Sequence, residues 1–103
     1  MHFLLFYEIA PDAPERMALY RKDHLAHCQA AVRGGELLLG GSLVEPEDGR
    51  AILLFKADRP DVVEAFAKND PYVVTGAIKR WRVRKWHTTV GHAAAAPPEW
   101  NES

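Results

Sequence analysis

The sequence predicts an α+β fold in which one antiparallel sheet carries helices on a single face. Two observations support this. Four apolar segments of strand length are spread along the 103 residues, and two stretches of helical periodicity follow the first and the third of them. The order is β-α-β-β-α-β, the split β-α-β arrangement of ferredoxin-like folds. A chain of this length makes one domain, placed at residues 1–90, with an Ala/Pro-rich flexible tail at 91–103.

Residues 2–9, HFLLFYEI, put Phe3, Leu5, Tyr7 and Ile9 on one face and His2, Leu4, Phe6 and Glu8 on the other. Both faces are largely apolar, as in a strand covered on two sides. The prolines of APDAPE end it, and Asp12 or Pro14 opens a helix running from about Pro14 to Arg33. Met17, Tyr20, Leu25, Cys28, Ala31 and Val32 form its apolar stripe, and Gly34 and Gly35 stop it. ELLLGGSLV, 36–44, is the second strand, with a bend or close approach at Gly40 and Gly41. EPEDGR is turn chemistry and AILLFKA, 51–57, is the third strand, so the two form a hairpin.

DRPDVVEAFAKND gives a second helix starting near Asp58 or Asp61 and ending near Asn69, with Val62, Val63, Phe66 and Ala65 toward the core. PYVVTGA is a short helical turn from Pro71, stopped by Gly76. IKRWRVRKWHTTV, 78–90, is a long final strand with Arg80, Arg82 and Arg84 on one face and Trp81 and Val83 opposite. The tail reads as mobile, although Trp100 could dock on a neighbouring subunit. Two helices cover only one face of a four-stranded sheet. The other face is therefore expected to meet a second copy, giving a homodimer.

Composition narrows the function. The net charge of −1 gives no general reason to bind nucleic acid or an anionic membrane. The apolar start, MHFLLFYEI, is too short to span a bilayer and has no basic leader. The arginine stripe lacks the aromatic groups on its own face that RNA-binding sheets use, so no nucleic-acid partner is expected. A single Cys28 suits a reducing, cytoplasmic setting and reads as a small buried hydrophobe. His2, His87 and His92 are scattered, and neither a phosphate-binding glycine motif nor a GxSxG elbow is present. Neither a metal nor a cofactor is expected.

One helical stretch breaks its own pattern. Taking Met17 as zero, rotation places Cys28 at about 20°, Arg21 at about 40° and His24 at about 340°, all inside the core stripe. A guanidinium there must reach solvent, a carboxylate or a ligand. His24 fits either a core imidazole satisfied by one hydrogen bond or a functional group, and His27, at the margin, reads as a surface residue. Asp70, before Pro71, is a good helix N-cap, but a carboxylate can also orient an imidazole and raise its basicity. Tyr72 can pack or close a pocket. Gly41 and Ser42 mark a strand bend or offer backbone N–H groups and a hydroxyl to a ligand.

Arg21-Lys22-Asp23-His24, the run GELLLGG from Gly35 to Gly41, Asp70-Pro71-Tyr72 followed by Gly76, and the closing Lys85-Trp86 together resemble the YCII-related family over residues 1 to about 90. The resemblance implies a dimeric α+β barrel, related in architecture to muconolactone isomerases and small monooxygenases, with His24 and Asp70 as the active-site pair. Ser42 departs from the proline that many members carry after the glycine pair. The expected activity is that of a cofactor-independent isomerase, lyase or elimination enzyme acting on a small cyclic or aromatic metabolite. His24 would move a proton, Asp70 would orient it, Arg21 would hold an anionic group, and Gly41, Ser42 and Tyr72 would line the pocket. The alternative is a non-catalytic small-molecule-binding or accessory and regulatory dimeric domain.

Overall fold

A computed structural model describes residues 1–97. Trp100 and the end of the tail lie outside the described residues. The strands are β1 (His2–Ile9), β2 (Leu37–Ser42), β3 (Arg50–Lys56) and β4 (Ile78–Trp86). Between them run α1 (Pro14–Arg33), α2 (Pro60–Asn69) and a single-turn α3 (Pro71–Val74). The sheet order is β2-β3-β1-β4 with every neighbouring pair antiparallel, as the split β-α-β reading requires. Among the described residues no helix is long and apolar enough to cross a membrane.

The core lies between the helices and one side of the sheet. Phe3, Leu5 and Tyr7 of β1 and Leu53 and Phe55 of β3 pack there against Val63, Phe66 and Tyr72. Residues opposite one another across a ladder share a face, so Leu4, Phe6, Ile52 and Leu54 project from the other side with Arg82 and Arg84. Gly35, at φ 80, turns the chain out of α1, and the Glu36 N–H closes back onto the Ala31 carbonyl. At Gly40 an added Cβ would come within 3.2 Å of Leu53, so this glycine admits a close approach between strands.

Several expectations need correction. The buried side of α1 is Met17, His24, His27, Cys28 and Ala31, whereas Tyr20, Arg21, Leu25 and Val32 are exposed. The helix is thus turned roughly 40° from the expected stripe. The cause is His27, which is not a surface group: its Nε2 donates to the Phe66 carbonyl at 2.9 Å and its ring stacks on Phe66. On α2 the buried residues are Val63, Phe66 and Ala67, and Ala65 faces solvent. Strand β4 stops at Trp86 rather than 90 because its partner begins at His2, which lies opposite Trp86. Beyond it the chain folds back, with the Ala96 N–H on the Thr88 carbonyl and the Ala95 N–H on Thr88 Oγ1.

Candidate active site

Three elements converge on one carboxylate. Asp70 ends α2 and caps α3 in an extended conformation, and its Oδ1 accepts the Tyr72 backbone N–H at 3.0 Å. The same oxygen accepts from His24 Nδ1 at 2.8 Å, and Oδ2 accepts from the Tyr7 hydroxyl at 2.7 Å. Helix capping and pairing with His24 are therefore simultaneous roles of one side chain. Asp70 has 0% exposure, while the His24 side chain retains 17%. The pair sits at the wall of the core, with the imidazole as its partly exposed member.

Packing holds the ring in place. Tyr72 stacks on His24 with centroids 3.8 Å apart and planes 6° from parallel, and its hydroxyl donates to the Met17 carbonyl at 3.2 Å. Cys28, one turn along α1, places Sγ 3.6 Å from His24 Nε2 and 3.9 Å from Nδ1.

Electrostatics follow from this geometry. Burial works against the charged form of Asp70, yet the hydrogen bonds from His24, Tyr7 and the Tyr72 backbone outweigh it and lower its pKa. Burial likewise opposes the imidazolium of His24, but the bond to Asp70, the Cys28 sulfur and the Asp70 charge raise it from 6.5 to about 9. Burial also pushes the Tyr7 phenol up, reinforced by the negative charge it donates to, so it stays a neutral donor. Both shifts favour the carboxylate and imidazolium forms of the pair.

Of the residues expected at the site, His24, Asp70 and Tyr72 come together and the others do not. Arg21 lies one turn before His24 with its side chain exposed, and it forms no ion pair among the described residues. Ser42 opposes Ala51, which in turn opposes Tyr7, so the three form a row across the helix side of the sheet. Two strand spacings separate Ser42 from Tyr7, roughly 10 Å. Gly41 pairs with Ile52, and the alternation assigns that position to the opposite side of the sheet. Tyr7 and Cys28 were not expected at the site. For Tyr7 a signal existed, because a tyrosine on the core face of a strand needs a partner for its hydroxyl.

A concavity of about 510 Å³ lies elsewhere, on the open side of the sheet, among Phe6, Ile52, Leu43, Arg50, Arg80 and Arg82. There Arg80 reaches Glu8 at 3.4 Å and Arg82 lies 5.3 Å from the Phe6 ring centroid. Neither His24 nor Asp70 is among its lining residues. Among the described residues no three His, Cys, Asp or Glu side chains gather as a metal site would require.

A family model described as the YCII-related domain matches residues 1–87. The chain belongs to the YCII-related domain family. This YCII-related domain is similar in fold to 5-chloro-2-hydroxyhydroquinone dehydrochlorinase of Burkholderia phenoliruptrix AC1100, in a complex with 2,5-dihydroxybenzoquinone. The identity is 21% and the TM-score 0.73, over 85% of this chain and 95% of that one. It is also similar to a NIPSNAP family protein of Agrobacterium tumefaciens, at 15% identity and a TM-score of 0.59, over 91% and 95% of the two chains. No curated protein matches the sequence.

Proposed function

We propose that this domain is a cofactor-independent enzyme that uses His24 and Asp70 for acid/base chemistry on a small cyclic or aromatic metabolite. The observation that carries the reading is the 2.8 Å bond between a ring that keeps 17% exposure and a carboxylate with none. A structural histidine does not need a buried countercharge held by two further donors, and burying a charged pair costs several kcal/mol. A proton-transferring imidazole does need that support, because the carboxylate fixes its tautomer and stabilises its cation. Arg21, exposed at the same end of α1, holds an anionic group of the ligand, and Tyr72 supplies an aromatic wall. Ser42 and Gly41 belong to a more distant lip.

The reaction is an isomerisation, a lyase step or the elimination of a leaving group, each of which needs one proton moved at a ring carbon or oxygen. The dehydrochlorinase of similar fold favours elimination. The assay is turnover of a panel of hydroxylated and halogenated ring compounds, 5-chloro-2-hydroxyhydroquinone among them, by the wild-type chain. His24→Ala and Asp70→Asn should lower kcat by about 10²–10⁴-fold while the fold persists. Unchanged turnover in His24→Ala contradicts the assignment, and ligand binding with no turnover by the wild type favours a binding domain.

The same proposal includes a homodimer that closes the open sheet face as an α+β barrel, in a cytoplasmic setting. Its support is the row of Leu4, Phe6, Ile52 and Leu54, which lie on that face only partly buried within one chain. Phe6→Glu should turn a dimer into a monomer by analytical ultracentrifugation. A wild-type monomer at high concentration contradicts this part.

A further inference from the structure

The protonation of His24 can be argued from contacts alone. Asp70 has three donors, but the Tyr7 hydroxyl and the Tyr72 backbone N–H are neutral. Among the described residues no lysine or arginine pairs with it. A carboxylate without exposure needs a countercharge, and His24 is the group positioned to supply it. Both ring nitrogens then carry hydrogen.

Nδ1–H is taken by Asp70, which leaves Nε2–H. Cys28 Sγ is its nearest polar neighbour, yet the sulfur is 3.6 Å from Nε2 and 3.9 Å from Nδ1. A group accepting along the Nε2–H axis would be more than about 5 Å from Nδ1. The sulfur therefore rests against the ring, off the Nε2–H axis, and does not take that hydrogen. The groups around the ring are Cys28 on α1, Asp70 and Tyr72 at α3, and Tyr7 on β1 behind Asp70, with exposed Arg21 one turn away. None of them supplies an acceptor for this N–H. A cationic donor with no acceptor among the described residues, stacked on an aromatic wall, matches one kind of ligand atom: an oxygen that is already ionised.

We infer that the site takes a ring compound as its enolate or phenolate, with the oxyanion on His24 Nε2–H, and that His24 acts first as hydrogen-bond donor and acid rather than as base. This rests on the enzymatic reading above and adds the substrate class and the direction of proton movement. In such a site the imidazolium stabilises the oxyanion, or gives its Nε2 proton to a leaving group or ring carbon and becomes neutral. The proton and its charge leave the ring together.

The test compares 4-nitrophenolate with its neutral isostere 4-nitroaniline, by following the His24 Nε2 resonance and the affinity from about pH 8 to about pH 10. The anion should shift the resonance, bind at least tenfold more tightly than the neutral compound, and lose roughly tenfold in affinity over that range as the ring deprotonates. His24→Gln should lose the preference for the anion, while Cys28→Ala should keep it. Equal affinity for the two compounds, affinity for the anion that does not fall with pH, or an unperturbed Nε2 overturns the inference. The enzymatic reading fails separately: a His24-dependent turnover that rises as the ring deprotonates would retain it with His24 as base, while sinking the donor role.

Discussion

The two sides of the sheet solve opposite problems. On the helix side, one carboxylate is enclosed and satisfied: Asp70 has no exposure and three donors, the Tyr7 hydroxyl, His24 Nδ1–H and the Tyr72 backbone N–H. On the open side, Phe6, Ile52 and the arginines of β4 surround a concavity of about 510 Å³ whose charged groups are exposed. That space lies on the face away from the His24–Asp70 pair. Cavity size and chemical capacity are separable, and in this chain they fall on opposite faces of the same strands.

Substitutions should divide along the same line. The largest effect is expected at Asp70, because Asp70→Ala leaves the Tyr7 hydroxyl, the Tyr72 N–H and a buried imidazole without their acceptor. Urea denaturation should show a loss of about 3–5 kcal/mol. A loss below 1 kcal/mol would mean that the carboxylate is dispensable to the fold.

Stability should also depend on pH through the His24–Asp70 pair. Asp70 has a lowered folded pKa, so its contribution is present above its ordinary value of 3.8 and disappears as pH falls through the folded value. His24 is raised, so its contribution is full below 6.5 and disappears as pH rises through about 9. The pair therefore stabilises most between these limits. The difference in urea midpoint between the wild type and His24→Gln should narrow as pH rises from about 6 to about 10. A constant difference would contradict the charged pair.

Tyr7→Phe is expected to cost about 1.5–3 kcal/mol, since it removes one hydroxyl and leaves Asp70 Oδ2 buried without a donor. The smallest change is on the open face. Arg82→Ala loses an exposed cation over the Phe6 ring and should cost under about 1 kcal/mol in the single chain, leaving the titration of His24 unmoved. A shift of the ring upon Arg82→Ala would show that the two faces are coupled.

Much of this layout is legible in the sequence. The prolines at 11, 14, 60 and 71 and the glycines at 34 and 35 punctuate the chain, and they bracket α1, α2 and α3 closely. The alternation of β4 places its arginines on one face, as the register shows. The rotation of α1 was not legible, because it is set by a bond from His27 to a backbone carbonyl 39 residues away. The pairing of His24 with Asp70 was legible only through the family resemblance, because residue spacing does not show how α1 packs against a one-turn helix 46 residues later. Cys28 reads as a hydrophobe from its spacing, although its place one turn after His24 on α1 already sets its sulfur beside the imidazole. The end of β4 depended on where β1 begins, a property of pairing rather than of the 78–90 segment itself.

The central claim is that His24 and Asp70 form a charged, coupled pair, and an NMR titration of the His24 ring in the wild type and in Asp70→Asn tests it most directly. The account predicts a midpoint well above 6.5, near the value of about 9 that the contacts favour, falling by more than one unit in Asp70→Asn. A wild-type midpoint at or below 6.5, or one that Asp70→Asn leaves in place, would contradict it.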